Sequence, residues 1–461
     1  MAKRYEKYKD SGIAWIGEIP EHWEATNFRY FINILTDYTA NGSFGDLSKN
    51  VEYIGHKSYA RLIRLTDLRE DLNNENGVWV NEKAYNYLSK SSLYGGELLL
   101  ANVGAYSGYS CIMPKVDYPT TLAPNMFLIK QYKKDLNTKY LWYLLSSKMF
   151  FNYLQIVALS SAQPKLNKEN IRQTPIIIPP IIEQEQIAKY LDWKCGEVDR
   201  IVEVRERQIK LLGELRTSVI NRTVTRGLNP NVPLKDSGID WIGQIPEHWE
   251  ICRLKNACSL KGRIGWKGLR SEEFEQMSYA YLVTGQDFHS AIIDWTKCYQ
   301  ISKERYDEDP YIQLSNGDLL ITKDGTIGKI AKVSNMNKPS CLNSGIFVMK
   351  QTKALFEQSY LYWLLESSLL KEFNNYTSTG TTILHLYQNV FENMPFIIPN
   401  LSEQQQIAEY LDKKTAEIDR TINKFKVQID KLKEYRQALI TEVVTGKIDV
   451  RGIEIPTPKS N

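Results

Sequence analysis

Apolar positions along this chain follow two periods. Steps of three, four or seven residues link Ile187, Leu191, Val198, Ile201 or Val202, Ile209, Leu212 and Val219. The same steps link Ile407, Leu411, Ile418, Ile422, Phe425, Ile429, Leu432, Leu439 and Val443. A heptad seam of this length predicts two long helices, and no proline interrupts either run. Elsewhere the apolar and aromatic runs are short and bounded by Gly, Asn and Pro, as at 61–65, 96–100 and 125–129, which predicts strands. A further helix is expected over 138–153, with a counterpart over 359–373. Pro-flanked strands are expected at 176–178 and 396–398.

These elements occur twice. KDSGIAWIGEIPEHWE (9–24) returns as KDSGIDWIGQIPEHWE (235–250), identical at 14 of 16 positions. PIIIPPIIEQEQIAKYLDWKCGEVDR (175–200) returns as PFIIPNLSEQQQIAEYLDKKTAEIDR (395–420), identical at 16 of 26. The chain is therefore a tandem duplication of a unit of about 220 residues, and its repeat architecture is the first thing to settle. The interiors, 25–95 and 251–316, show little similarity. The resulting order is a first globular domain (1–178), a long helix (179–226), a linker (227–234), a second globular domain (235–398), a second long helix (399–447) and a tail (448–461). The expected fold is α+β: two tandem mixed α/β domains joined by two long helices. A linker this short makes the second helix start near the end of the first and run back. That predicts an antiparallel coiled coil with a pseudo-twofold axis, a spacer between two independent readers.

Composition narrows the function classes. Of 461 residues, 43% are hydrophobic and 24% charged, a globular balance. The run 175–182 is far shorter than the ~20 residues a membrane helix needs, and MAKRYEKYKD lacks the apolar core of a signal peptide. A soluble, cytoplasmic protein is expected. Six scattered cysteines form no CxxC pair, so neither a disulfide framework nor a metal site is expected. Net charge is only +4, so no overall basicity announces nucleic acid; the 28 tyrosines suit either a recognition surface or a core. There is no GxxxxGK[ST] phosphate loop, since Gly325–Lys329 has the wrong spacing. There is also no [DNS]PP[YFW] motif, no GxSxG elbow and no HExxH. His22 and His248 recur in EHW beside Pro, Glu and Trp, with no nucleophile, which reads as a fixed structural segment. No catalytic residue is assigned.

Binding chemistry gathers in three loops. Lys261–Gly268 combines three cations, an aromatic ring and three glycines, where backbone amides can approach a phosphate and Arg or Lys can read guanine. Lys323–Lys329 forms a second polar hairpin; its counterpart, Asn102–Tyr109, exchanges cations for tyrosines. A third loop precedes each last strand, at 160–165 and 379–382. The DNA-binding candidates are Arg263, Trp266, Lys267, Lys323, Lys329, Thr381 and Thr382 in the second domain. In the first they are Asn102, Tyr106, Tyr109, Ser161, Gln163 and Lys165.

WIGEIPEHWE with WIGQIPEHWE, EQEQIAKYLD with EQQQIAEYLD, and GRIGWKGL closely resemble the specificity subunit of type I restriction–modification systems, in order and over essentially the whole chain. The resemblance implies two target-recognition domains, each reading one half of a bipartite double-stranded DNA sequence, held apart by the coiled coil. It implies two modification subunits that methylate adenine with S-adenosylmethionine, and two restriction subunits driven by ATP with Mg. It implies that the chain itself has no active site and binds no cofactor. Ile187, Tyr190, Leu191, Ile407, Tyr410 and Leu411, at the helix starts, are the candidates for partner contact. Two readings compete with it: a coiled-coil scaffold that organises an assembly without reading DNA, and an enzyme with an unrecognised nuclease or methyltransferase site in the interiors.

Overall fold

The computed structural model describes residues 3–69, 72, 74, 76–131, 136–159, 164–263, 268–289, 291–377 and 385–456. The chain divides into two compact units: Met1–Arg205 with Val427–Asn461, and Glu206–Lys426. The boundary falls inside both long helices, Ile181–Arg226 and Leu401–Val444, so each unit contains a stretch of each helix.

In the first unit one sheet has the order Ile32–Asp37, Met126–Gln131, Leu98–Ala101, Ser110–Ile112, with antiparallel neighbours. A second sheet runs Val78–Val80, Ala60–Ile63, Thr120–Leu122, Ser92–Leu93, and its central pair is parallel. In the second unit the first sheet has six strands: Cys258–Gly262, Ile346–Gln351, Leu319–Thr322, Ile330–Lys332, Ile292–Ile293 and Phe288–His289. Its companion sheet is Tyr299–Ile301, Ala280–Val283, Ser340–Leu342, again with one parallel pair.

The apolar runs of the sequence have a simple explanation. A strand sends alternate side chains to opposite faces, so a strand covered on both faces reads as continuously apolar. Leu98 and Leu100 point into the core that holds the helices, while Leu99 joins a smaller core on the other face. Leu319 and Ile321 divide from Leu320 in the same way. Phe127 and Ile129 oppose Met126 and Leu128, as Phe347 and Met349 oppose Ile346 and Val348.

Within each unit the two helix stretches run antiparallel. In the first unit Gln186 donates to the carbonyls of Val450 (3.1 Å) and Ile453 (2.8 Å), while further along Asp199 pairs with Arg436 at 3.0 Å. In the second, Arg216 pairs with Asp419 at 3.2 Å, and a Cβ placed on Gly227 would sit 3.2 Å from Glu403. Of the two alternatives on the first seam, Val202 is buried and Ile201 is 46% exposed.

One expectation is corrected. The helix expected over 138–153 is two helices, Thr138–Ser146 and Lys148–Ala158, and its counterpart divides into Gln358–Glu366 and Ser368–Thr377. A serine breaks each. Ser147 is extended (φ −62, ψ 144); its hydroxyl donates to the Leu144 carbonyl at 2.7 Å and caps the next helix. Ser367 (φ −72, ψ 172) donates likewise to Leu364 at 2.5 Å. A side-chain oxygen that satisfies the orphan groups at a helix end makes the break cheap, and apolar spacing that continues through it hides it from a periodicity reading.

Candidate nucleic-acid interface

The repeated motifs build a frame. In the first unit Glu183, at the start of the long helix, accepts the Trp23 indole N–H at 3.1 Å, bonds His22 Nε2 at 2.8 Å and accepts the Tyr5 hydroxyl. In the second unit Glu403 takes Trp249 and His248, both at 3.0 Å. The histidines thus serve as donors that position a carboxylate. Onto each tryptophan closes a helix-ending glycine in the left-handed region: Gly446 (φ 72) over Trp23, and Gly227 (φ 72) over Trp249. Tyr8 donates to the Gly446 carbonyl at 3.0 Å, which fixes the first closure further.

The adjacent glutamine of the helix-start motif is a second brace. Gln184 is fully buried; its oxygen accepts the Asn137 N–H at 2.8 Å and its amide donates to Pro179 at 2.8 Å. Gln404 repeats this with Glu357 (2.7 Å) and Pro399 (2.8 Å). Buried carboxamides with both ends satisfied are rigid connectors. The same cores absorb most of the expected partner-contact residues. Ile187, Leu191, Ile407 and Leu411 are fully buried inside their own units, Tyr190 is nearly so, and Tyr410 alone of the six is exposed. The apolar side chains expected to meet a partner are therefore occupied internally.

In the first unit the structure brings two of the expected loops together. Val103 and Lys165 form a β-bridge, Leu166 N–H donates to Asn102 O at 2.8 Å, and Gly104 N–H donates to Pro164 O at 2.9 Å. Ser107 closes the hairpin by donating to the Gly104 carbonyl at 2.8 Å, and Gln155 donates to the Ser107 carbonyl. Asn102 is 8% exposed, and its buried Oδ1 accepts no hydrogen bond among the described residues. Tyr106 is 44% exposed, and the Arg69 guanidinium lies over its ring at 4.5 Å; Tyr109 is half-buried. Ser161 and Gln163 lie outside the described residues.

In the second unit the expected residues fall in different settings. Arg263 is 3% exposed and donates to the Leu342 carbonyl at 3.0 Å and to Cys341 Sγ at 3.4 Å. These bonds tie the end of Cys258–Gly262 to Ser340–Leu342 in the companion sheet and hold the guanidinium in the interior against a carbonyl and a thiol. Lys329 is exposed on the hairpin, whose turn is held by Thr322: its hydroxyl donates to Thr326 O at 2.5 Å and accepts the Lys329 N–H at 3.0 Å. Lys323 is half-buried, its ammonium 4.9 Å from the Phe347 ring. His385 pairs with Asp324 and ties the segment before the last strand to the same hairpin, as does the Leu386 N–H bond to Lys323 O at 3.1 Å. Trp266, Lys267, Thr381 and Thr382 lie outside the described residues.

Sequence reasoning missed Arg69, Gln286 and Asn343, all close to these hairpins. Their signal was a short match within interiors of little similarity, SYARLIRLTD (58–67) against SYAYLVTGQD (278–287), which ends in Asp67 and Asp287.

Comparison with known proteins gives one consistent result. The model of the type I restriction modification DNA specificity domain matches residues 50–209 and 246–429. The MjaVIII specificity subunit of Methanocaldococcus jannaschii is 23% identical over 452 residues, 94% of this chain and 95% of that protein. The EcoKI specificity subunit of Escherichia coli is 25% identical over 209 residues, 45% of this chain and 44% of that one. Among solved structures, a chain from a study of complex assembly and conformational transition in the type I R-M system superposes with a TM-score of 0.70, at 16% identity, covering 93% of this chain and 99% of that chain. The HsdS subunit of Thermoanaerobacter tengcongensis superposes at 0.51, again at 16% identity, covering 93% and 98%.

Proposed function

The chain belongs to the type I restriction–modification DNA specificity family, and we infer that each of its two domains reads one half of a bipartite DNA target. One observation carries the reading. Both units hold the same frame, the Glu–His–Trp cluster with its helix-ending glycine, while the hairpins that the frame presents differ in chemistry. One offers Tyr106 and Tyr109, the other Lys323 and Lys329. Equal frames suit two copies of one partner, and unequal hairpins suit two different half-sites.

In this reading the chain supplies recognition and its partners supply chemistry. Two modification subunits transfer a methyl group from S-adenosylmethionine to adenine, and two restriction subunits use ATP and Mg; the assembly works in the cytoplasm. Exposed Tyr410 is the contact offered at the second helix start, and its buried neighbours hold that start in place. A net charge of +4 fits partners that provide much of the phosphate clamp, so the isolated chain should bind DNA weakly.

The test is sequencing of adenine methylation in the source cell with the gene intact, deleted, or carrying a foreign segment in place of 251–394. A two-part motif that vanishes on deletion and changes in one half on exchange supports the reading. Methylation indifferent to both changes would leave a scaffold that organises an assembly without reading DNA.

A further inference from the structure

Each unit has a sheet with one parallel pair, Ala60–Ile63 beside Thr120–Leu122 and Ala280–Val283 beside Ser340–Leu342. Connections that leave the carboxyl ends of parallel strands open a crevice, the usual ligand position in open sheets. Here the loop leaving the first strand of each pair is stapled by a buried aspartate. Asp67 accepts the Arg64 backbone N–H at 2.8 Å and its guanidinium at 2.8 and 3.0 Å. Asp287 accepts the Thr284 backbone N–H at 2.7 Å and its hydroxyl at 2.9 Å. Between staple points the residues differ: Leu65 and Thr66 in one unit, Gly285 and Gln286 in the other. The backbone is fixed and the side chains are free to vary.

In both units this loop meets the glycine hairpin. A Cβ on Gly285 would lie 2.9 Å from Thr322 Cγ2, so only glycine lets the loop approach that strand so closely. Between loop and hairpin opens a cleft of about 690 Å³ with Gln286, Lys329 and Asn343 on its walls. Gln286 is exposed, and its side-chain carboxamide is unengaged among the described residues, while its backbone N–H donates to Thr284 Oγ1 at 3.4 Å. Asn343 Oδ1 accepts the Ser344 N–H at 2.7 Å, which leaves the Nδ2 donors for a ligand. In the first unit Arg69, ending the short helix Leu65–Arg69 that begins in the loop, lies over Tyr106 and joins the same two elements.

We propose that the stapled loop determines specificity in each domain: Gln286, with Asn343 and Lys329, reads base edges in one half-site, and Arg69, with Tyr106, does so in the other. This rests on the DNA-reading function inferred above. The chemistry favours base edges over phosphates. A free carboxamide offers a donor and an acceptor side by side, the complement of the adenine N6/N7 edge. Two donors, Asn343 Nδ2 and the Lys329 ammonium, complement guanine O6 and N7. A phosphate site would gather cations and backbone amides in place of two carboxamides.

The experiment co-expresses the chain with the modification subunits of its own system and selects bound duplexes from a random pool. Gln286→Ala should relax one position in one half-site, with roughly a 5- to 150-fold loss of discrimination there, and Arg69→Ala should relax the other half. Gln286→Glu should alter the preferred base, because a carboxylate accepts from cytosine N4 and repels acceptors. Both Gln286 variants should melt with the wild type, since the side chain is exposed. If these variants and Asn343→Ala keep both wild-type half-sites while exchange of 251–394 changes one, the loop does not read and the inference falls with the function intact. If the exchange itself changes nothing, the DNA-reading function fails and takes the inference with it.

Discussion

Trp23 and Glu183 stand 160 residues apart in the chain, yet the indole N–H donates to the carboxylate at 3.1 Å, and Trp249 with Glu403 repeats the bond across 154 residues. The strongest repeated string in the sequence thus closes each domain onto a helix start. Its histidine, easily mistaken for a catalytic group, is a second donor to the same carboxylate.

The two carboxylates are not equivalent. Glu183 is 5% exposed and collects three side-chain donors, while Glu403 is 23% exposed and collects two. Removing a buried acceptor strands its donors, so Glu183→Ala should cost on the order of 3 kcal/mol. Glu403→Ala, where the half-exposed His248 can reach water although the buried Trp249 indole cannot, should cost roughly 1–2 kcal/mol. Denaturant melts of the two variants check the order, and equal losses would mean that the Tyr5 hydroxyl contributes nothing.

Closure by glycine gives a second asymmetric pair. A Cβ on Gly446 would overlap the Pro20 ring and lie 3.2 Å from Trp23, whereas one on Gly227 would lie 3.1 Å from Trp249 and 3.2 Å from a carboxylate tip. Both have positive φ, so alanine strains either site. At Gly446 the Pro20 ring must shift outright, whereas at Gly227 the Trp249 ring need give only a few tenths of an ångström. Gly446→Ala should therefore destabilise by about 2–4 kcal/mol and Gly227→Ala by about 1 kcal/mol. Thermal melts that rank them the other way would place the tighter closure in the second unit.

The frame was legible in the sequence because its parts are strings. The repeated EHW and EQxQIA segments announced themselves, and the heptad seams announced the long helices. The reading loops were less legible, because burial is decided by tertiary contacts that no local pattern records. Arg263 sits in a glycine-rich basic run that reads as a phosphate loop, yet strand partners 79 residues away enclose it. Gln286 and Asn343 looked unremarkable because nothing local says that two parallel strands end side by side. Ser147 and Ser367 broke helices whose apolar spacing runs on uninterrupted.

Lys329 and Arg263 separate a surface cation from a buried one. Lys329→Ala should relax one position of its half-site and leave the slope of log K against log salt unchanged; a slope lower by about one would make Lys329 a phosphate contact. Arg263→Ala should instead lower the melting temperature of the chain, since it leaves the Leu342 carbonyl without its donor inside the sheet contact. A salt titration paired with a melt distinguishes the two. A wild-type melt for Arg263→Ala would show that its bonds are dispensable.

The staple at Asp67 carries a pH dependence whose sign can be worked out. Burial alone raises this carboxyl, but hydrogen bonds from Arg64 and Asn74, with the charge of Arg64, outweigh it and hold the group below its ordinary 3.8. A carboxylate depressed in the folded state contributes stability that is full above the unfolded value and lost as pH falls through the folded one. Hydrogen exchange at the amides of Arg64 and Asp67 should therefore quicken as pH drops from about 5 toward 3, after correction for the intrinsic rate. Asp67→Asn should start from weaker protection at neutral pH and show little further loss on acidification, because its amide cannot titrate. An acid-induced loss of the same size in both proteins would mean that the staple's charge is not what holds the loop, and the first domain's reading surface would need another support.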